Sequence, residues 1–131
     1  MKKIIALTFA LLTIFSCRND NELEIEPLVG NWEWTLSSGG IDGRTETPTS
    51  TGKNKILSLK NDRTYTITIN ESVTQEGKYS LYKDVSNLDH YKRTYINFSN
   101  QIDQMIISNE DGKLVLSDDL NDGFVSTYEK K

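Results

Sequence analysis

Few side chains in this sequence could carry out chemistry, and they are not spaced like a catalytic or metal centre. The chain has one histidine, His90, and one cysteine, Cys17. A nucleophile–histidine mechanism would have to use His90, which falls in a polar segment, and the sequence contains no Gly-x-Ser-x-Gly motif. One histidine and one cysteine do not supply the ligands of a zinc site. We therefore predict no catalytic residue, no metal, no cofactor and no enzymatic activity.

An acidic segment near the C-terminus is the other chemical candidate. Asp118, Asp119 and Asp122 precede Gly123, and their carboxylates could bind calcium weakly. The alternating spacing of a calcium loop is missing. We interpret the segment as the turn of a β-hairpin.

Cys17 follows a stretch that has the layout of an export signal. Lys2 and Lys3 precede a largely apolar run of 12 residues, Ile4–Phe15. This run is too short to cross a bilayer and suits the core of a secretory signal. Residues 14–17, Ile-Phe-Ser-Cys, resemble the lipobox of bacterial lipoproteins. The resemblance implies cleavage before Cys17 and attachment of lipid to its sulfur and its new amino group.

The lipobox resemblance divides the chain and assigns it a place. Residues 1–16 are then a lipoprotein signal peptide, residues 17–27 are the lipidated Cys17 with a flexible acidic tether, and residues 28–131 are one folded domain. We expect a cell-envelope protein, anchored to the outer membrane at its periplasmic or surface face. An ordinary cleaved signal that contains a cysteine is the alternative. The acidic tether resembles a diluted form of the stretch that directs some Bacteroidetes lipoproteins to the outer face, and a plain spacer fits equally well.

The charge of the chain limits its partners. The formal net charge is −4, and removal of Lys2 and Lys3 makes it more negative. Nucleic acids and anionic lipid headgroups bind clustered lysine and arginine, which this chain lacks. We expect no nucleic-acid partner and a monomeric protein whose membrane contact is the lipid on Cys17.

Apolar and polar residues alternate from Leu28 onward, as in strands with one buried face. The clearest case is 64–69, where Tyr65, Ile67 and Ile69 alternate with threonines. Eight short strands are predicted, around residues 28–36, 57–59, 65–69, 79–81, 95–98, 105–107, 114–116 and 124–128. Most links are short and rich in Asn, Asp and Gly, which favours antiparallel neighbours. Closure removes the sheet edges, so we expect an all-β, eight-stranded antiparallel meander barrel, with a two-sheet sandwich as the alternative.

The opening of the first strand resembles the lipocalin signature. It reads Leu28-Val29-Gly30-Asn31-Trp32, and the resemblance lies in the Gly-x-Trp motif formed by Gly30 and Trp32. The resemblance implies that Gly30 lets the chain bend into the barrel and that Trp32 plugs the closed end. It also implies that a residue of the last strand, here Tyr128 or Lys130, covers the indole. With Gly77-Lys78-Tyr79 at the fourth strand, the domain is similar to small lipocalin-like domains of Bacteroidetes lipoproteins, whose functions are largely uncharacterised.

The residues expected to face inward are mostly large, so we predict a largely filled barrel with at most a small cup. They are Trp32, Trp34, Leu36, Leu57, Leu59, Tyr65, Ile67, Ile69, Tyr79, Leu81, Ile96, Phe98, Ile107, Leu114, Leu116 and Phe124. An eight-stranded barrel is just wide enough for its own side chains or one small ligand. The predicted ligand cup contains Trp34, Leu36, Leu57, Tyr65 and Tyr79.

Two functions stay open at this point. The first is a membrane-anchored lipocalin-like binding module for a small hydrophobic ligand. The second is a surface interaction or inhibitor protein with a filled barrel. Its long loops, 37–52 and 84–92, would contact an envelope protein or a glycan, because loops on a rigid scaffold commonly make such contacts. We predict that loop 37–52, rich in Gly, Ser and Thr, is mobile.

Overall fold

The computed structural model describes residues 23–131 as one antiparallel sheet with two short helical elements. The helical elements are a 3₁₀ turn at Glu26–Leu28 and α1 at Pro48–Thr51. The strands are β1 (Gly30–Gly39), β2 (Arg44–Glu46), β3 (Lys55–Leu59), β4 (Thr64–Ile69), β5 (Ser72–Val85), β6 (Lys92–Phe98), β7 (Gln104–Glu110), β8 (Lys113–Asp118) and β9 (Phe124–Lys130). Neither helical element of this part of the chain is long and apolar enough to cross a membrane.

The sheet closes because β1 pairs with strands on both of its sides. β1 pairs with β3 through Gly30–Glu33 and with β9 through most of its length, and β3 to β9 follow one another in chain order. The result is a closed antiparallel barrel of eight strands, β1 and β3–β9. This confirms the predicted fold class, and each of the eight predicted strands is present.

β2 and α1 were not predicted, and together with the end of β1 they occupy most of the segment 37–52 that was expected to be a mobile loop. β3 pairs only with the first part of β1, so Ser37–Gly39 has a free side that Arg44–Glu46 fills by antiparallel pairing. α1 is held by a capping box, in which the Thr47 hydroxyl accepts from the Ser50 N–H and the Ser50 hydroxyl accepts from the Thr47 N–H. The prediction of a mobile loop over 37–52 is therefore wrong for most of its length.

Two β-bulges place different residues inside the barrel from those that strict alternation predicts. The pairing of β1 with β9 shifts between Trp34 and Leu36, so Leu36 is 38% exposed while Ser37 is buried. The pairing of β7 with β8 shifts between Ile106 and Ser108, and Ile107 is 43% exposed. The inward placement of Leu36 and Ile107 was wrong because an extra residue in one strand reverses the alternation beyond it.

One end of the barrel is closed around Trp32. The indole is buried, and its Nε1–H donates to the Leu28 carbonyl at 2.8 Å. The Lys130 ammonium lies 5.5 Å from the ring centroid, within the range of a cation–π contact. Gly30 is needed because its φ of +145° is a conformation that residues with a Cβ rarely adopt. Of the two residues expected over Trp32, it is Lys130 that covers it.

The segment before β1 belongs to the folded core. β6 and β7 share only two residue pairs, Tyr95–Met105 and Ile96–Gln104, so the sheet is weakest there. Ile25 is 3% exposed and packs in the main core, and Asn109 Nδ2 on β7 donates to the Pro27 carbonyl at 3.1 Å. The flexible-tether prediction is therefore wrong for residues 25–27, because two apolar residues, Leu23 and Ile25, in an acidic sequence are too few to give a periodic signal.

Replacing Ile25 tests whether this segment stabilises the barrel. We expect Ile25→Ala to lower the free energy of unfolding by about 2–4 kcal/mol, because it removes a buried aliphatic side chain and leaves a cavity. Urea denaturation followed by tryptophan fluorescence measures the change. Glu24→Ala, at an exposed neighbouring position, is the matched control and should change it by less than about 0.5 kcal/mol. Equal stability of both variants and the wild type would show that residues 24–25 are a tether.

Candidate functional site

A cavity that could hold a ligand lies at the barrel end away from Trp32, and it is more enclosed than the larger depressions beside Glu33 and beside Lys60. Its volume is about 240 Å³, and we call it the mouth cavity. It is lined by Trp34 and Ser37 of β1, Glu46 of β2, Thr51 of α1, Lys53, Lys55 of β3 and Ile69 of β4. The extra strand and the capped helical turn thus build part of its rim.

A chain of three hydrogen-bonded side chains starts at the inner wall of the mouth cavity, which Trp34 and Ser37 line, and continues to Ser126 on β9. Trp34 Nε1–H donates to Ser37 Oγ at 2.7 Å, and Ser37 Oγ is 2.6 Å from Ser126 Oγ. All three residues are buried. The bulge in β1 turns Ser37 inward toward β9, so the hydroxyl pair depends directly on that irregularity. Strict alternation would have placed Leu36 in this wall. The bulge places Ser37 there instead and makes the wall polar.

Charged side chains surround this polar wall. Lys55 shares the inward parity of Leu57 and Leu59 on β3, and its Nζ lies 5.6 Å from the centroid of the buried Tyr128 ring. Lys53 adds a second ammonium. The one carboxylate that lines the cavity, Glu46, pairs with Arg44 at 3.4 Å. Positive charge therefore predominates in the cavity, although the chain as a whole is acidic.

The structure does not bring the five predicted cup residues together. Trp34 lines the mouth cavity, and Leu36 lies on the outer side of the bulge. Leu57, Tyr65 and Tyr79 are buried in the packed core. Tyr65 packs edge-to-face on Phe98 at 4.8 Å. Of the five, only Trp34 lines the cavity.

Tyr65 and Tyr79, the two tyrosines of the predicted cup, are structural rather than reactive. Tyr65 donates to the Asn100 side chain, and Tyr79 donates to the Lys60 carbonyl at 2.8 Å. Burial raises the pKa of both hydroxyls, so both stay protonated as donors near neutral pH.

Sequence reasoning missed Ser37, Glu46, Lys53, Lys55 and Ile69 as a group that lines one cavity. Lys55 had a signal, because it stands two residues before Leu57 in the same alternating pattern. Ser37 had none, since only the bulge turns it inward. Glu46 belongs to the segment 37–52, which was treated as a loop, and Lys53 directly follows that segment.

The acidic turn joins two loops on the outside of the barrel. Asp119 accepts hydrogen bonds from Ser86 Oγ at 2.9 Å, from the Asn87 N–H at 3.0 Å and from Tyr95 Oη at 2.9 Å. Ser86 is fully buried by this arrangement. No cluster of three His, Cys, Asp or Glu side chains within residues 23–131 is placed to hold a metal. The acidic segment is a structural clamp, and the exposed His90 lies in the loop that it holds.

The loop tips carry exposed apolar side chains. Ile41 lies in the turn between β1 and β2, and Leu120 lies between β8 and β9. Leu88 and Tyr91 lie in the loop that Asp119 holds. Ile41 is 91% exposed and Tyr91 is 70% exposed. These positions bear on the alternative of a surface interaction protein.

The Asp119 clamp makes stability depend on pH. Desolvation raises the pKa of the Asp119 carboxyl, but the hydrogen bonds from Asn87, Ser86 and Tyr95 outweigh it, and the pKa lies below its usual value. The ionised group therefore adds stability that is complete above its unfolded pKa of about 3.9 and is lost as the pH falls through the folded value. We expect Asp119→Asn to unfold at a lower urea concentration than the wild type between pH 5 and 7. The weakened hydrogen bonds should lower the free energy of unfolding by roughly 1–3 kcal/mol.

The difference in the free energy of unfolding between the wild type and Asp119→Asn should shrink below about pH 4. Asp122→Asn removes the same charge from an exposed position in the same loop and should match the wild type throughout. A difference for Asp119→Asn that stays constant from pH 7 to pH 3 would contradict this account.

Comparisons with known proteins identified no relative of this chain. No family model matches the chain, and no curated protein and no solved structure was found to be similar to it.

Proposed function

We propose that this chain is a lipid-anchored cell-envelope protein of the lipocalin-like type that binds a small ligand in its mouth cavity. The observation that carries the proposal is a cavity of about 240 Å³ with a hydrogen-bonded polar wall, set above a filled barrel. Ligand sites combine apolar walls with a few placed polar groups, and Trp34, Ile69 and the Ser37 hydroxyl supply both.

The size of the cavity limits the ligand. Trp32, Leu57, Tyr65 and Leu116 fill the interior below it, so a long hydrocarbon chain has no room in the barrel. The volume is below the roughly 300–1,000 Å³ of drug-sized sites and equals about eight water molecules at roughly 30 Å³ each. The ligand is therefore a small molecule or one end of a larger molecule.

The proposed anchor would keep the barrel close to the membrane. Cys17 lies outside the described residues, and Ile25 already packs in the core. Eight residue steps separate them, which span at most roughly 30 Å when extended. A barrel held near a bilayer in this way is well placed to take up molecules that cross or leave the envelope.

The second candidate is a surface interaction or inhibitor protein that contacts an envelope protein or a glycan. It is favoured by the exposed Ile41, Leu88, Tyr91 and Leu120, which project from the segments 37–52 and 84–92 and from the turn before β9. Exposed apolar side chains at loop tips are commonly found at contact surfaces. This candidate needs no cavity.

Replacing the cysteine tests the anchor. We expect Cys17→Ser to leave the membrane fraction and appear in the soluble envelope fraction, because one or more acyl chains are the proposed membrane contact. Fractionation followed by immunoblotting measures the distribution. Ser16→Ala keeps a small residue before the cysteine and serves as the control that should stay with the membrane. Membrane association of Cys17→Ser equal to that of the wild type would overturn the anchor.

Filling the cavity tests the ligand site. We expect native mass spectrometry of the purified protein to show a non-covalent mass of small-molecule size, and Ile69→Trp to remove it because the larger side chain occupies the cavity. Ile102→Trp makes the same exchange at a position that is 69% exposed and should retain the mass. Retention by Ile69→Trp, or a wild type that binds no small molecule, would favour the interaction-protein candidate.

A further inference from the structure

We propose that the mouth cavity selects small organic anions, specifically a carboxylate attached to a short apolar group. This inference rests on the proposed ligand site and names the chemical class that the site takes. It follows from three features of the cavity: an O–H hydrogen left over by the serine pair, a local excess of positive charge, and an apolar wall of limited size.

The serine pair can donate one hydrogen bond to a ligand. Ser37 Oγ accepts from Trp34 Nε1–H and shares one hydrogen bond with Ser126 Oγ. Two hydroxyl groups carry two hydrogens, and one bond between them uses one hydrogen. When Ser126 is the donor of that bond, the Ser37 O–H is left to donate into the cavity that Ser37 lines. A carboxylate oxygen beside Ser37 accepts it and thereby favours this arrangement of the pair.

The charges in the cavity favour an anion. Lys53 and Lys55 both line it, and the Lys55 ammonium is held against the Tyr128 ring. Glu46, the one carboxylate on its wall, already pairs with Arg44 at 3.4 Å. Two lysines therefore line the cavity against a single carboxylate, and that carboxylate has another cationic partner. A carboxylate beside Lys55 gains a charge-assisted hydrogen bond, which is about twice as strong as a neutral one.

The rest of the wall is apolar and small. The Trp34 indole and the Ile69 side chain face the same space as Ser37 and Lys55. They suit a ring or a short chain, which would lie against them while its carboxylate binds between Lys55 and Ser37. The Lys55 ammonium and the Ser37 hydroxyl would favour such a carboxylate over the small hydrophobic ligand that was predicted from the sequence.

Phenylacetate and phenylacetamide make a direct test, because they share a shape and differ in charge. Isothermal titration calorimetry of the purified protein should show phenylacetate binding at least about tenfold more tightly than phenylacetamide. Lys55→Met keeps the length of the side chain and removes its charge. It should weaken phenylacetate binding about tenfold and leave phenylacetamide binding unchanged. Lys55→Arg should keep the preference for the acid.

Lys92→Met removes a charge at an exposed position at the start of β6 and is the matched control, expected to bind both probes like the wild type. Equal binding of the two probes, or an unchanged preference in Lys55→Met, would overturn the anion selectivity. The ligand site would then still stand, provided that Ile69→Trp abolishes binding of both. Failure of both probes to bind the wild type would overturn the selectivity and count against the site itself.

Discussion

The antiparallel pairing of β1 with β9 is the interaction on which the rest of the structure depends. It joins the two ends of the meander, from Trp32 opposite Lys130 to Gly39 opposite Phe124, and so removes the exposed edges that an open sheet would present. The approach is close at its far end, because a Cβ on Gly39 would lie 2.2 Å from the Gly123 carbonyl oxygen. Closure also brings Lys130 over Trp32 and Ser126 beside Ser37. The plug at one end and the polar wall at the other both depend on it.

The irregularity in β1 separates the packed part of the barrel from the mouth cavity. Before the bulge, Trp32 and Trp34 face inward with large neighbours on β3 and β9. After it, a serine faces inward, and β1 changes partner from β3 to β2. The smaller residue leaves space, and the new partner supplies Glu46 to the rim. One extra residue in one strand therefore produces both the cavity and its polar character, as bulges near functional sites commonly do.

The sequence predicted the strands and the closed end well, because both leave a periodic or local signal. Tyr65, Ile67 and Ile69 show alternation directly, and Gly30 with Trp32 marks the first strand. The cavity was predicted poorly. Ser37 faces inward through a bulge, and Glu46 lies on a strand of three residues within a segment rich in Gly, Ser and Thr. Such features depend on which backbone groups stay unpaired after the sheet forms, and that is set by the tertiary structure.

A barrel of this size has little room for both stability and a ligand. The described part of the chain has no disulfide to hold it, since the one cysteine is Cys17, so buried side chains must supply the stability. Every apolar residue removed from the interior to make space costs about 2–5 kcal/mol, a large share of what a small domain has. The structure instead keeps a filled interior and adds β2 and α1 outside the closed barrel. The rim residues Glu46, Thr51 and Lys53 lie outside the core, whereas Trp34 belongs to it. Changes at the rim can therefore alter the cavity at a lower cost in stability than changes at its core wall.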